Sequence, residues 1–187
     1  MKISNAMIEQ IKEFEGCSLE AYLDSKGVPT IGIGHTGNDV SIGDKISSEE
    51  CERLFRKDVS VAEKQVNTLN EQILARTKGG VCLSQCQFDA LVSLVYNTGV
   101  AAIVSTSTIY KVLMNNGVGD TNNICHAFML WVKITINGKK EVLGGSDGKH
   151  GLVLRRAIES AWYAYGNKWK EELQKRRITD VVEWARS

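Results

Sequence analysis

Apolar positions recur along the chain with two different periods, and each change of period marks the edge of an element. Ile3, Met7, Ile11 and Phe14 follow one another at intervals of four, four and three, which is one face of a helix that starts near Ser4 or Asn5 and stops at Gly16. Ala21 to Leu23 then reads as a brief strand, Asp24 to Gly27 as a turn, and Thr30 to Gly34 as a returning strand, with Gly27 and the sole proline, Pro29, as punctuation. Gly32 and Gly34 are poor strand formers, so they predict close backbone approach by a ligand or a sharp bend. Thr36 to Lys45 is rich in turn formers and reads as loop with one more short strand.

Ser47-Ser48-Glu49-Glu50 opens the next helix as a capping box, the serine over the amides and Glu50 reaching back. Phe55, Val59, Ala62, Val66, Leu69 and Ile73 carry its apolar stripe, with a break or reset expected near Asn67 to Asn70 and an end at Thr77 to Gly80. Ser84 and Gln87 make a second capping box. Phe88, Leu91, Val92 and Val95 follow with so little polar surface that this helix belongs at the centre of a helical lobe, closing at Asn97-Thr98-Gly99. Ser105 to Asn115 reads as a further helix, and Asp120 caps one that carries Ile124, Phe128 and Trp131. Lys133 to Leu143 alternates around Asn137-Gly138, a strong hairpin signal. Trp169 to Arg177 and Ile178 to Trp184 give one or two amphipathic helical turns.

Composition narrows this picture. With 187 residues and 43% hydrophobic content the chain can bury a sizeable core, as one domain or one domain split into two lobes. No apolar run reaches the ~20 residues needed to span a bilayer, and the first residues form an amphipathic pattern with acids in it, not a signal peptide. The chain is therefore expected to accumulate in the cytoplasm. Cys17, Cys51, Cys82, Cys86 and Cys125 are an odd set without a Cys-x-x-Cys pair, and His35, His126 and His150 add no metal-ligand spacing. Free thiols in a reducing compartment and no metal are the expectation. Cys17 lies two residues from Glu15, so its oxidation or alkylation bears on that acid. The net charge of +1 hides an asymmetry: from Lys149 to Ser187 nine Lys or Arg face five Asp or Glu, leaving −3 for the first 148 residues. A modestly basic end suits an anionic polymer or lipid head groups, and equally a solvated helix face.

The candidate chemistry lies between residues 15 and 35. Glu15 falls in the last turn of its helix, where a cation would be the stabilising choice, so an acid there needs a reason. A second carboxylate, Asp24, sits at a hairpin tip and a hydroxyl, Thr30, on the opposing strand. Cleaving a glycosidic bond calls for two acids, one protonated to serve the leaving oxygen and one ionised to activate water or support the transition state. Spacing alone also fits a capping charge and an ordinary turn Asp.

Glu15, eight residues, Asp24, five residues, Thr30, followed by Ile31-Gly32-Ile33-Gly34-His35, resembles the active-site signature of the phage-type (T4- and P22-like) lysozymes, the glycoside hydrolase family 24 endolysins. Gln85-x-x-Phe88 to Asn97-x-Gly99 is similar to the buried core helix of that family, and Gly151-Leu152-x-x-Arg155-Arg156-x-x-Glu159 to another of its stretches. The segment Gly144 to His150 departs from the family pattern as an extension.

The resemblance, which covers roughly residues 4 to 165, implies an α+β, mainly helical lysozyme-like fold. Residues 1–187 would form one domain around a cleft, with a β-containing lobe at 16–58 and a helical lobe from 1–15 plus 59–187. It implies a muramidase that cuts the β-1,4 bond between N-acetylmuramic acid and N-acetylglucosamine with inversion. Glu15 would be the general acid, with Asp24 and Thr30 positioning water. Gly32, Gly34 and His35 would support the site, and Arg155 or Arg156 would bring a positive charge to Glu15; as sequence alone that arginine pair reads as a solvated basic face. Trp131 serves either a sugar subsite or the core. No cofactor or metal is required. The partner would be peptidoglycan glycan strands, met by a monomer that binds no nucleic acid, crosses from the host cytoplasm through a holin-type lesion, and has at most a weak membrane contact through its basic end. A lytic transglycosylase and a non-catalytic wall-binding module are the alternatives.

Overall fold

The computed structural model describes residues 1–24, 27–136, 139–142, 151–177 and 179–187, with the main chain alone at 134–136 and 139–142. The chain divides into two compact units, Asn5–Val61 and Met1–Ser4 with Ala62–Ser187.

In the smaller unit, α1 (Asn5–Glu15) buries Met7, Ile8 and Ile11. Gly16 ends it as the sequence predicts: at φ +69° it adopts the left-handed conformation that closes helices, and its N–H reaches the Lys12 carbonyl at 2.9 Å. Ser18–Leu23 (β1), Pro29–Gly32 (β2) and His35–Thr36 (β3) then form an antiparallel sheet in that order. The first strand is longer than expected, with an irregular register between Ser18 and Tyr22. The returning strand is shorter than Thr30 to Gly34, because Gly32 and Gly34 both take positive φ and fold the chain over into β3. Ala21, Ile31, Val40 and Leu54 make a small core with Ile46 against it.

The helix α2 (Ser48–Arg76) belongs to both units. Ser47 Oγ accepts the Glu50 N–H at 3.2 Å, but both Glu50 carboxylate oxygens are taken up by Arg53, so only the serine arm of the expected capping box is seen. The break expected near Asn67 to Asn70 does not occur. Those asparagines anchor other segments instead: Asn67 Nδ2 donates to the Met1 carbonyl, and Asn70 Oδ1 accepts the Leu83 N–H at 2.8 Å. The apolar stripe from Phe55 to Ile73 is buried throughout.

In the larger unit, α3 (Gln85–Thr98) forms with both bonds of the Ser84–Gln87 capping box in place. The next helix, α4 (Thr108–Asn115), starts three residues later than expected, since Val100–Ile103 winds into a 3₁₀ turn and Ser107 supplies the cap. Asp120 caps α5 (Thr121–Met129), and Trp131 lies half-buried beyond its end. Lys133–Ile136 (β4) pairs antiparallel with Lys139–Val142 (β5), Ile136 opposite Lys139, as the hairpin signal predicts. The Asn137-Gly138 turn itself and the extension from Gly144 to His150 lie outside the described residues.

The central helix is α6 (Gly151–Tyr165), against which α3 and α5 pack. Phe88, Leu91, Leu94, Phe128, Val153 and Ala157 are fully enclosed there, each large side chain stabilising by roughly 1.5–3 kcal/mol. The amphipathic end forms two short helices, α7 (Trp169–Lys175) and α8 (Val181–Arg186), whose Trp169, Leu173, Val181, Val182 and Ala185 are buried. Ile3 is not part of the α1 face. It sits in an N-terminal strap, where the Ile3 N–H donates to Glu63 Oε1 at 2.8 Å and Ser4 donates through N–H and Oγ to Asp89.

Candidate active site

Glu15 is the last residue of α1 and is half-buried. Its carboxylate lies directly over Gly34: a Cβ placed there would stand 3.1 Å from Oε2 and 3.3 Å from Cδ. Of the two roles that the glycine pattern predicts, the structure shows the sharp bend, and the neighbour against Gly34 is this acid, not a ligand. The cation of the last turn, Lys12, lies 3.0 Å from Glu52 and 3.2 Å from Glu9.

Asp24 follows β1 and closes its own turn. Its N–H donates to the Val28 carbonyl at 3.0 Å, its carbonyl accepts from Gly27 at 2.9 Å, and its Oδ1 accepts the Val28 N–H at 2.8 Å. A short acceptor reaching the amide ahead is what favours Asp in such turns, and it orients the carboxylate. Thr30 is buried and donates through Oγ1 to the Val28 carbonyl at 3.0 Å. Val28 therefore holds both Asp24 and Thr30.

Tyr22 links the three positions. It stands opposite Thr30 in the β1–β2 register, two residues before Asp24. Its phenol is raised above the ordinary tyrosine range, first by burial of the ring and then by the negative charges of Glu15 and Asp24. Both carboxylates thus lie within electrostatic reach of one hydroxyl on a side chain that is 41% exposed. The sequence singles out Tyr22 only as part of a strand, and no motif marks it as a neighbour of the two acids.

His35 is buried, with Nδ1 2.6 Å from Asp58 Oδ2 and Nε2 3.5 Å from Asp39 Oδ1. It ties β3 to α2 between two carboxylates, and Asp58 is a partner that no sequence motif announces. Gly32 is a close-packed position, where a Cβ would meet Cys51 Sγ at 3.4 Å.

Arg155 and Arg156, in the larger unit, are buried, so the solvated basic face read from sequence alone is corrected. Glu159, with no exposed surface, holds them both. Arg155 Nε donates to its Oε1 at 3.1 Å, Arg156 Nε lies 2.9 Å from Oε2, and Ser93 Oγ adds a bond of 2.7 Å to Oε1. Arg156 also donates to Asn97 Oδ1 at 2.9 Å. Two guanidiniums around one carboxylate offset much of the charge cost of burial. Among the described residues, no group of three or more His, Cys, Asp or Glu is placed to hold a metal ion.

The phage lysozyme family model matches residues 12–159, a span that runs from just before Glu15 to Glu159. The chain is 39% identical over 163 residues to the endolysin of Acyrthosiphon pisum secondary endosymbiont phage 1, covering 87% of this chain and 98% of that protein. It is 35% identical over 137 residues to the endolysin of Salmonella phage P22, covering 71% and 85%. The solved endolysin of Escherichia coli O157:H7 phage FAHEc1 superimposes with a TM-score of 0.72 at 35% identity, over 88% of this chain and 94% of that one. The α+β, mainly helical architecture is accordingly lysozyme-like, and the chain belongs to the phage lysozyme family and is, by that membership, a lysozyme-type glycoside hydrolase.

Proposed function

We infer that this chain is a muramidase endolysin that hydrolyses the β-1,4 bond between N-acetylmuramic acid and N-acetylglucosamine in peptidoglycan, with Glu15, Asp24 and Thr30 as its catalytic residues. The observation that carries this reading is geometric: Val28 holds both Asp24 and Thr30, and the Glu15 carboxylate rests on Gly34, two residues beyond the strand that carries Thr30. Two acids and a hydroxyl set around one small sheet are the groups that glycoside hydrolysis calls for.

In this mechanism Glu15, held over Gly34, gives its proton to the leaving oxygen. Asp24 stays ionised, supports the oxocarbenium-like charge and takes the proton of the attacking water. Thr30 donates its own hydrogen to the Val28 carbonyl, which leaves its oxygen lone pairs to accept from that water and hold it. Water arriving on the face opposite the leaving group inverts the anomeric centre. The enzyme acts on glycan strands as a monomer after a holin-type lesion lets it out of the host cytoplasm.

The test is turbidity clearing of permeabilised Gram-negative cells by wild type, Glu15→Gln and Asp24→Asn, with soluble products assayed for reducing ends. Wild type clears and releases reducing muramic acid, while each variant falls by more than about tenfold, or roughly 1.4 kcal/mol of transition-state stabilisation. Anhydro products without a reducing end would instead mark a transglycosylase, and three equal, folded proteins would mark a wall-binding module.

A further inference from the structure

We propose that Cys17 and Cys51 form a redox staple, a thiol pair that exchange with a low-molecular-weight disulfide converts into a disulfide joining the turn after α1 to the first turns of α2. The two Sγ atoms lie 3.2 Å apart across 34 residues of chain. Forming the bond requires the sulfurs to close by only about 1 Å, to the ~2.05 Å of a disulfide. The backbone there is already set: Gly16 at φ +69° directs the chain from Glu15 into Cys17, and the main chain at Gly32 flanks Cys51, whose Sγ would be 3.4 Å from a Cβ at that position.

The pair is also asymmetric in the way that sequential exchange needs. Cys17 is exposed and Cys51 buried. Burial, then the neighbouring Cys17, pushes the Cys51 thiol up to about 11. Attack on an external disulfide therefore falls to Cys17. Its thiolate displaces one thiol and leaves a mixed disulfide on Cys17 Sγ. Cys51, giving up its proton as it attacks, then displaces the second thiol from that sulfur. The two protein thiols lose two hydrogens and two electrons, which the small disulfide gains as two thiols. Two of the other three sulfurs are engaged elsewhere: Cys125 Sγ donates to the Ser160 carbonyl at 3.4 Å in the core, and Cys86 Sγ lies 3.2 Å from Ser84 Oγ.

The staple starts one residue beyond Gly16, so it fixes the end of the helix that presents Glu15. In the muramidase reading the substrate lies outside the reducing cytoplasm, where such a bond persists once made. The test does not depend on hydrolysis, so its failure is distinguishable from failure of that reading. The reduced chain is incubated with oxidised glutathione, quenched with iodoacetamide and mapped by peptide mass spectrometry without reduction. The five free thiols fall to three, the mass drops by two hydrogens, one linked peptide joins Cys17 to Cys51, and the thermal midpoint rises by at least about 5 °C. Cys51→Ser stops at a glutathione adduct on Cys17; should that variant not fold, Cys17→Ser, at an exposed position, abolishes the linked peptide and the rise in midpoint. Cys82→Ser leaves both unchanged. A persistent Cys17 adduct in wild type with Cys51 still alkylated, a bridge between other cysteines, or an unmoved midpoint overturns the proposal.

Discussion

Glu15 Oε2 stands 3.1 Å from the point where a side chain on residue 34 would begin, so the acid at the end of α1 and the glycine before β3 are a matched pair. Gly34→Ala meets two obstacles, the backbone strain of φ +71° and the carboxylate itself. The strain costs about 1–2 kcal/mol of stability. Displacement of Glu15 adds a loss of clearing activity of more than about tenfold. Gly43→Ala is the control, since residue 43 has φ +101° with nothing within 4 Å of an added Cβ: it loses stability and keeps its activity. Equal clearing rates for the two folded variants would remove the positioning role of Gly34.

Glu159 pairs with both Arg155 and Arg156 and has no exposed surface. Glu159→Gln keeps the shape but removes the buried charge that both guanidiniums share, at a cost of about 3–5 kcal/mol. Urea unfolding at neutral pH measures it. A change below about 1 kcal/mol would mean that other groups already balance the arginines.

The Lys12–Glu52 pair, 3.0 Å apart, gives a pH-dependent contribution with a defined sign. Burial acts to raise Glu52, but hydrogen bonds from Lys12 and Arg56, with their charges, hold it below the usual carboxylate range. Its contribution is thus present above the unfolded value of about 4.3 and lost as pH falls through the lower folded value. Burial likewise opposes the rise of Lys12, which bonds to Glu52 and Glu9 and their charges produce. That contribution is present below about 10.4 and lost as pH climbs through the raised value. Both side chains are partly exposed, so Glu52→Gln lowers stability by less than about 1 kcal/mol at pH 7, with the difference vanishing in strong acid. Urea midpoints of the two proteins at neutral and acid pH check this; a constant offset would assign the effect to packing.

Local order was legible wherever a short-range signal sufficed. The Ser84–Gln87 box, the Gly16 stop, the Asp120 cap and the Lys133–Val142 hairpin register all depend on residues a few positions apart, and all formed as read. Expectations failed where distant chain supplied the partner. Asn67 and Asn70 look like helix breakers in isolation, yet in the fold they serve Met1 and Leu83, and α2 runs through. Arg155 and Arg156 look solvated until Ser93 and Asn97, some sixty residues earlier in the chain, meet them beside their own helix's Glu159.

The sequence by itself determined the family, the helical periods and the spacing of Glu15, Asp24 and Thr30, because these are properties of neighbours along the chain. Tertiary structure alone decided that the Glu15 carboxylate rests on Gly34, that Tyr22 feels both acids, that His35 meets Asp58, and that Cys17 touches Cys51. Each of these depends on through-space distance and desolvation, which arise only when segments far apart in sequence pack together.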